Sequence, residues 1–234
     1  MAKVTEAGQR RYCEVEGDYF IKGILPVGRV DLIYPAQWPA ERIENEHTAL
    51  DLVREKTNIP VPRALERGFD GEFGHCLKLE WADGIDLGNI VDGRDVGAAC
   101  LMTPGQDGHA SSGRCEQCRA VAMANADLFV REVVYPALEG LSSRQTGLNG
   151  IRWPVKTSDE VAGAARLFVL CHGDLSYHNM RVDPATLEVK WLLDWEFAGF
   201  LPEEFLRIFS LTRADYGRLF ENDERKQRLV GLLE

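Results

Sequence analysis

Apolar and polar residues alternate in two short runs near the start of the chain, "RRYCEVE" and "YFIKGIL", which are separated by Gly17-Asp18. Alternation of period two on either side of a Gly-Asp pair predicts a β-hairpin. The period then changes. In "AERIENEHTALDLVREKT", Ile43, Ala49, Leu50 and Val53 recur at roughly helical spacing with charges between them, which predicts an amphipathic helix. The helix should stop before "NIPVP", because Pro60 and Pro62 push the residues ahead of them out of helical geometry. "HCLKLEW" alternates again as a strand and runs into "ADG", a turn.

Residues 91–118 show no sustained period and are rich in Gly, Ser and Asp, which predicts a long loop or insertion. A helix follows in "CRAVAMANADLFVREVVYPALEGL", with Val121, Ala124, Leu128 and Phe129 on one side and Pro136 expected to kink or end it. Beyond another loop come the apolar "ARLFVL", the polar "CHGDLSYHNM" and then "MRVDPATLEVKWLLDWE". The last piece reads as a second hairpin turning at Asp183-Pro184-Ala185. The tail is helical in pattern, with Pro202 suited to a first helical turn, and no segment repeats. The order predicts an α+β chain of two lobes. Residues 1–81 form a β-rich lobe with one helix, a short connector lies near 81–84, and residues 82–234 form a mainly helical lobe carrying a β-hairpin.

The composition, 45% hydrophobic and 27% charged over 234 residues, suits a globular protein. No apolar run approaches the roughly 18 residues that span a bilayer, and the start is too polar for a secretory signal, so a soluble, cytoplasmic protein is expected. A formal charge of −10 argues against a nucleic-acid partner, which demands a basic face. That acidity either only keeps the chain soluble or also steers a cationic substrate. Of six cysteines, Cys13, Cys76 and Cys171 sit in apolar, strand-like stretches, where a thiol behaves as a small hydrophobe. Cys115 and Cys118 have metal-ligand spacing, but zinc needs four ligands and the nearest further candidate is His109.

"CHGDLSYHNM" places His172, Asp174 and Asn179 straight after a strand, as a capped turn, a metal corner or a catalytic loop would. The following hairpin helps to separate these readings. If its strands pair, their outer ends lie together, so Asn179 comes near Asp194. An amide oxygen and a carboxylate converging there make a hard, oxygen-rich site suited to Mg²⁺. Asp174, five residues before Asn179, could face a hydroxyl about to attack a metal-bound phosphate, the arrangement phosphoryl transfer needs.

These residues also carry a resemblance. "HGDLSYHN" resembles the kinase catalytic loop H-x-D-L-x-x-x-N, and Asp194 stands where the magnesium-binding Asp of D-F-G would stand. The Gly after His172 and "DWE" in place of D-F-G resemble the aminoglycoside phosphotransferase and choline kinase-like group of the kinase-like fold. "NEHTALDLVREKTNIPVP" and "LLDWEFAGFLPEEF" are similar to segments common in uncharacterised fungal members, and the likeness covers roughly residues 12–208. The resemblance implies ATP and Mg²⁺ as cofactors and a small-molecule hydroxyl as acceptor. It implies that Lys22 contacts the nucleotide phosphates with Glu46 as its ion-pair partner, and that the backbone near Glu80, Trp81 and Ala82 meets the adenine. His172 would brace the catalytic loop, and Asn179 and Asp194 would hold the metal.

The pattern also departs from the family. Kinases cover the phosphates with a glycine-rich loop between the first two strands, whereas here only Gly8 precedes the hairpin and seven residues precede Gly8. The first strand is therefore expected to be very short, missing or replaced, and the part after Pro202 looks brief. Both departures suit an alternative, an inactive kinase-like protein that binds nucleotide or acts as a scaffold. After Asp194 no long activation segment and no A-P-E follow, which disfavours a protein kinase.

Overall fold

A computed structural model describes residues 2–7, 10–24, 39–92, 115–148 and 167–207. The expected hairpin is present as β2 (Arg10–Val15) and β3 (Tyr19–Ile24), closed by the Asp18 N–H donating to the Val15 carbonyl at 3.0 Å. Ahead of it lies β1 (Ala2–Ala7), paired antiparallel with β2 so that Ala7 faces Arg10. The first strand is thus present and six residues long, and only residues 8–9 link it to β2. β4 (Ala64–Asp70) and β5 (Gly74–Glu80) complete an antiparallel sheet of order β1-β2-β3-β5-β4. Sequence periodicity missed β4 because an edge strand is wetted on both faces. Six of its seven residues are exposed, so no alternation was there to read.

Helix α1 (Pro39–Lys56) packs against β4 and β5. It buries Ile43, Ala49, Leu50 and Val53, as the spacing predicted, and also Asn45 and Glu46, which it did not. The chain leaves α1 through Thr57, whose hydroxyl donates to the Val53 carbonyl at 2.7 Å, and then passes the two prolines.

Past the connector, β6 (Ile85–Asp86) leads into α2 (Leu87–Asp92). Residues 91–92 therefore close a helix rather than open the expected insertion, and α3 (Glu116–Phe129) begins before that insertion was expected to end. Residues 93–114, including His109, lie outside the described residues, as do the link 8–9 and the tail 208–234. The α3 face also differs from expectation. Cys118, Ala122 and Ala126 are buried, followed by Val130, Val134 and Leu138, whereas Leu128 is 52% exposed. Small side chains at every fourth position let α3 approach α2 and β10 closely, and this outweighs the size of Leu128. A π-helical turn, Val130–Val134, precedes α4 (Tyr135–Glu139). Pro136 neither ends nor breaks the run. It has no N–H to give, and the wider turn ahead of it relieves the clash of its ring with the preceding backbone.

The site rests on two small sheets, ordered β10-β9-β6 and β11-β8-β7. β8 (Phe168–Cys171) lies between β7 (Ser142–Ser143) and β11 (Gly199–Leu201). β9 (Met180–Val182) and β10 (Val189–Leu192) form the second expected hairpin. At its turn the Asp183 carboxylate accepts from the Ala185 and Thr186 N–H groups at 2.8 and 3.1 Å, which holds that carboxyl below its usual range. After β11, Pro202 precedes a short 3₁₀ turn, Glu203–Phe205. One apolar core runs through the whole, from Ile24, Leu50 and Leu77 to Leu170, Met180, Leu192 and Trp195. Among the described residues no helix is long and apolar enough to cross a membrane.

Candidate active site

β8 delivers the chain into the loop that opens with His172. Gly173 turns it with φ +83°, and a Cβ at that position would overlap the Phe197 carbonyl oxygen, so glycine is required there. His172 is buried against Trp195, ring centroids 4.5 Å apart. Its Nε2–H donates to the Leu193 carbonyl at 2.9 Å and its Nδ1 accepts from the Asp174 N–H at 3.3 Å. Burial holds the imidazole below its ordinary pKa, and the two partners demand one neutral tautomer. His172 thus ties the Asp174 backbone to the far end of the hairpin.

Asn179 ends a 3₁₀ turn, Tyr177–Asn179. Its Nδ2 donates to the Asp174 carbonyl at 2.7 Å and to the Asp174 carboxylate at 3.2 Å. Its own carbonyl accepts from the Leu193 N–H at 2.8 Å, so the outer ends of the hairpin meet as expected. Asp194 follows with φ +66°, a left-handed conformation that Asp tolerates better than most residues. That twist sends its carboxylate to Lys22, which it contacts closely.

Lys22, on β3, is only 3% exposed and sits among three carboxylates. Its Nζ lies 2.8 Å from Glu46 and 3.0 Å from Glu196, besides the contact with Asp194. Glu196 also receives Arg42 at 2.5 Å, and its carbonyl accepts from Asn45 Nδ2 at 3.1 Å. Asn45 donates further to the Ala198 carbonyl at 2.7 Å. Burial pushes the Glu46 carboxyl up to about 7. The Lys22 ammonium opposes that rise, while Asp194 and Glu196 add to it. Sequence reasoning found the Lys22–Glu46 pair but missed Arg42, Asn45 and Glu196. Arg42, Asn45 and Glu46 lie three and four residues apart on one helical face, a signal open to inspection once "DWE" was in view.

Glu46, Asp194 and Glu196 each offer a carboxylate oxygen within 4.8 Å of the others, and the Lys22 ammonium lies among them. With the Asn179 amide nitrogen engaged by Asp174, its oxygen is the atom left for a cation. Such hard oxygen donors fit Mg²⁺. Cys115 and Cys118 belong to no comparable group among the described residues. Cys115 instead caps α3, its Sγ accepting from the Cys118 N–H at 3.5 Å.

Lys22, Asn179 and Asp194 open onto a cleft of about 280 Å³. Glu80, Trp81 and Ala82 line its other end, as expected of the connector, but two of their polar groups are already used. The Glu80 N–H donates to the Arg63 carbonyl at 2.9 Å, and the Ala82 carbonyl accepts from Arg181. The Glu80 side chain faces Arg54 and Arg63 at 3.6 and 3.9 Å.

No protein-family model matches the sequence, and no curated protein matches it. Solved structures do match. The GDP and kanamycin complex of APH(2'')-IIIa aligns over 99% of this chain and 76% of its own, with TM-score 0.51 and 14% identity. WbdD aligns over 86% of this chain with TM-score 0.50 and 16% identity, and the chain spans about a third of it. The chain has the two-lobed kinase-like fold. APH(3'')-Id, an aminoglycoside phosphotransferase from Streptomyces rimosus, also matches, at TM-score 0.44 and 15% identity over 98% of this chain and 83% of its own.

Proposed function

We propose that the protein is a small-molecule phosphotransferase that moves a phosphoryl group from a nucleoside triphosphate to a hydroxyl. The carrying observation is that Lys22, Asn179 and Asp194, from three separate parts of the chain, line one cleft, and that Asn179 also holds the Asp174 carboxylate. The sequence pointed to ATP and Mg²⁺, and the GDP held by APH(2'')-IIIa supports a nucleotide in the cleft. In this reading the lobes divide at residues 81 and 82, the protein works in the cytoplasm, and its acidity suits a cationic acceptor.

Asp174 would take the proton of the attacking hydroxyl while the oxygen bonds to the terminal phosphorus and the nucleoside diphosphate leaves. Its carboxylate is oriented by Asn179 and its backbone by His172. Lys22 would align the phosphates, held from behind by Glu46 and Glu196. Asn179 and Asp194 would hold the divalent ion, which when bound neutralises phosphate charge. The test is Asp174→Ala, assayed for phosphoryl transfer against a panel of amino-alcohol and amino-sugar acceptors. The variant should bind nucleotide as the wild type does and lose turnover by at least about a hundredfold. Unchanged turnover overturns the assignment.

The two-residue link between β1 and β2 favours a second reading, since it leaves little chain to cover phosphates. In that reading the protein binds nucleotide without transferring it. A thermal shift with Mg-nucleotide, accompanied by no product from any acceptor, would select it.

A further inference from the structure

We infer that Arg181 decides which purine the cleft accepts, favouring a base with an oxo group at position six, as in guanine, over one with an amine at that position, as in adenine. This rests on the nucleotide reading above and adds to it the identity of the base. The cleft is polarised. Lys22, Asn179 and Asp194 mark the end suited to phosphates and metal. Phe20 and Glu14, one pleat nearer the connector than Lys22, belong with Leu79, Trp81 and Ala82 to the end suited to an aromatic nucleoside.

Arg181 projects from β9 into that second end. Its guanidinium is fixed on several sides. Nε donates to Asp86 at 3.0 Å, Nη1 donates to the Ala82 carbonyl, and the group lies 5.3 Å from the centre of the Trp81 ring. Nη2 makes no hydrogen bond among the described residues and has only an ion pair with Glu14 at 3.7 Å. The Ala82 carbonyl therefore already accepts one hydrogen bond from the guanidinium, and unfilled N–H donors stand beside it. A guanidinium has no acceptor to offer. A base edge bearing an oxo group and a ring nitrogen can accept from it, whereas an amine would meet a second donor. Sequence reading passed over Arg181 because nothing about a strand residue two places past Asn179 shows what its side chain reaches.

The experiment is calorimetric titration of the full chain with Mg-GTP and Mg-ATP, repeated on Arg181→Leu and Arg181→Lys. Wild-type protein should bind GTP about tenfold more tightly than ATP, the scale of one hydrogen bond to a charged donor. Arg181→Leu should bring the ratio close to one. Arg181→Lys, which keeps the charge but not the planar fork, should do the same and carries the comparison if the leucine variant does not fold. A residue that only braced the lobes would weaken both nucleotides equally and leave the ratio unchanged. Equal affinities, an ATP preference, or a GTP preference retained in both variants overturns the inference. Wild-type protein that binds neither nucleotide overturns the nucleotide reading itself, and this inference with it.

Discussion

At His172 the two hydrogen bonds fix the charge as well as the orientation, because a protonated ring would turn Nδ1 from acceptor to donor against the Asp174 N–H. Its pKa is lowered in the folded state, chiefly by burial, so the unfolded chain takes up that proton more readily. The stability this group contributes is therefore complete above the unfolded value of about 6.5 and is lost as pH falls through the lower folded value. Urea midpoints measured between pH 7.5 and 5 should fall with pH in the wild type, and His172→Asn should flatten the part of that slope just below pH 6.5. Gly173 sets a second condition at the same turn. Gly173→Ala meets both a left-handed backbone and the Phe197 carbonyl, so it should cost about 2 kcal/mol or more. A thermal melt would show this as a drop of several degrees. An unchanged melting temperature would mean that the loop does not need this geometry.

Among the elements, α1 carries more of the site than its hydrophobic pattern indicated. Apolar spacing revealed the helix because Ile43, Ala49, Leu50 and Val53 pack on the sheet, but the same helix turns Arg42, Asn45 and Glu46 to the hairpin that bears Asp194. Asn45→Ala leaves the Glu196 and Ala198 carbonyls without their buried donor and should cost about 2–4 kcal/mol, read from denaturant unfolding. The two hairpins and β8 were readable because each is a local pattern closed by its own turn. β4 was hidden by its exposure at the sheet edge, and the inner face of α3 by the advantage of small residues in close packing. Neither of those facts has a local trace.

Across the whole molecule, the site divided along the same line. Asp174 and Asn179 are five residues apart and Asp194 ends the next hairpin, so sequence distance and turn geometry sufficed to bring them together. The Lys22–Glu46 pair spans 24 residues and was reached through family resemblance. Glu196 closing on Arg42 and Arg181 closing on Ala82 join parts 154 and 99 residues apart, and only the folded chain shows them. One backbone bond belongs with these. The Leu192 N–H donates to the Pro60 carbonyl at 2.9 Å, which fastens the chain just beyond α1 to the hairpin, while Arg42 and Asn45 hold Glu196 and Ala198 in the segment that follows it. The Leu192 amide should rank among the slowest to exchange hydrogen, alongside those of β8, and rapid exchange there would overturn this tie. The helix is then moored at both ends to the lobe it was not counted in.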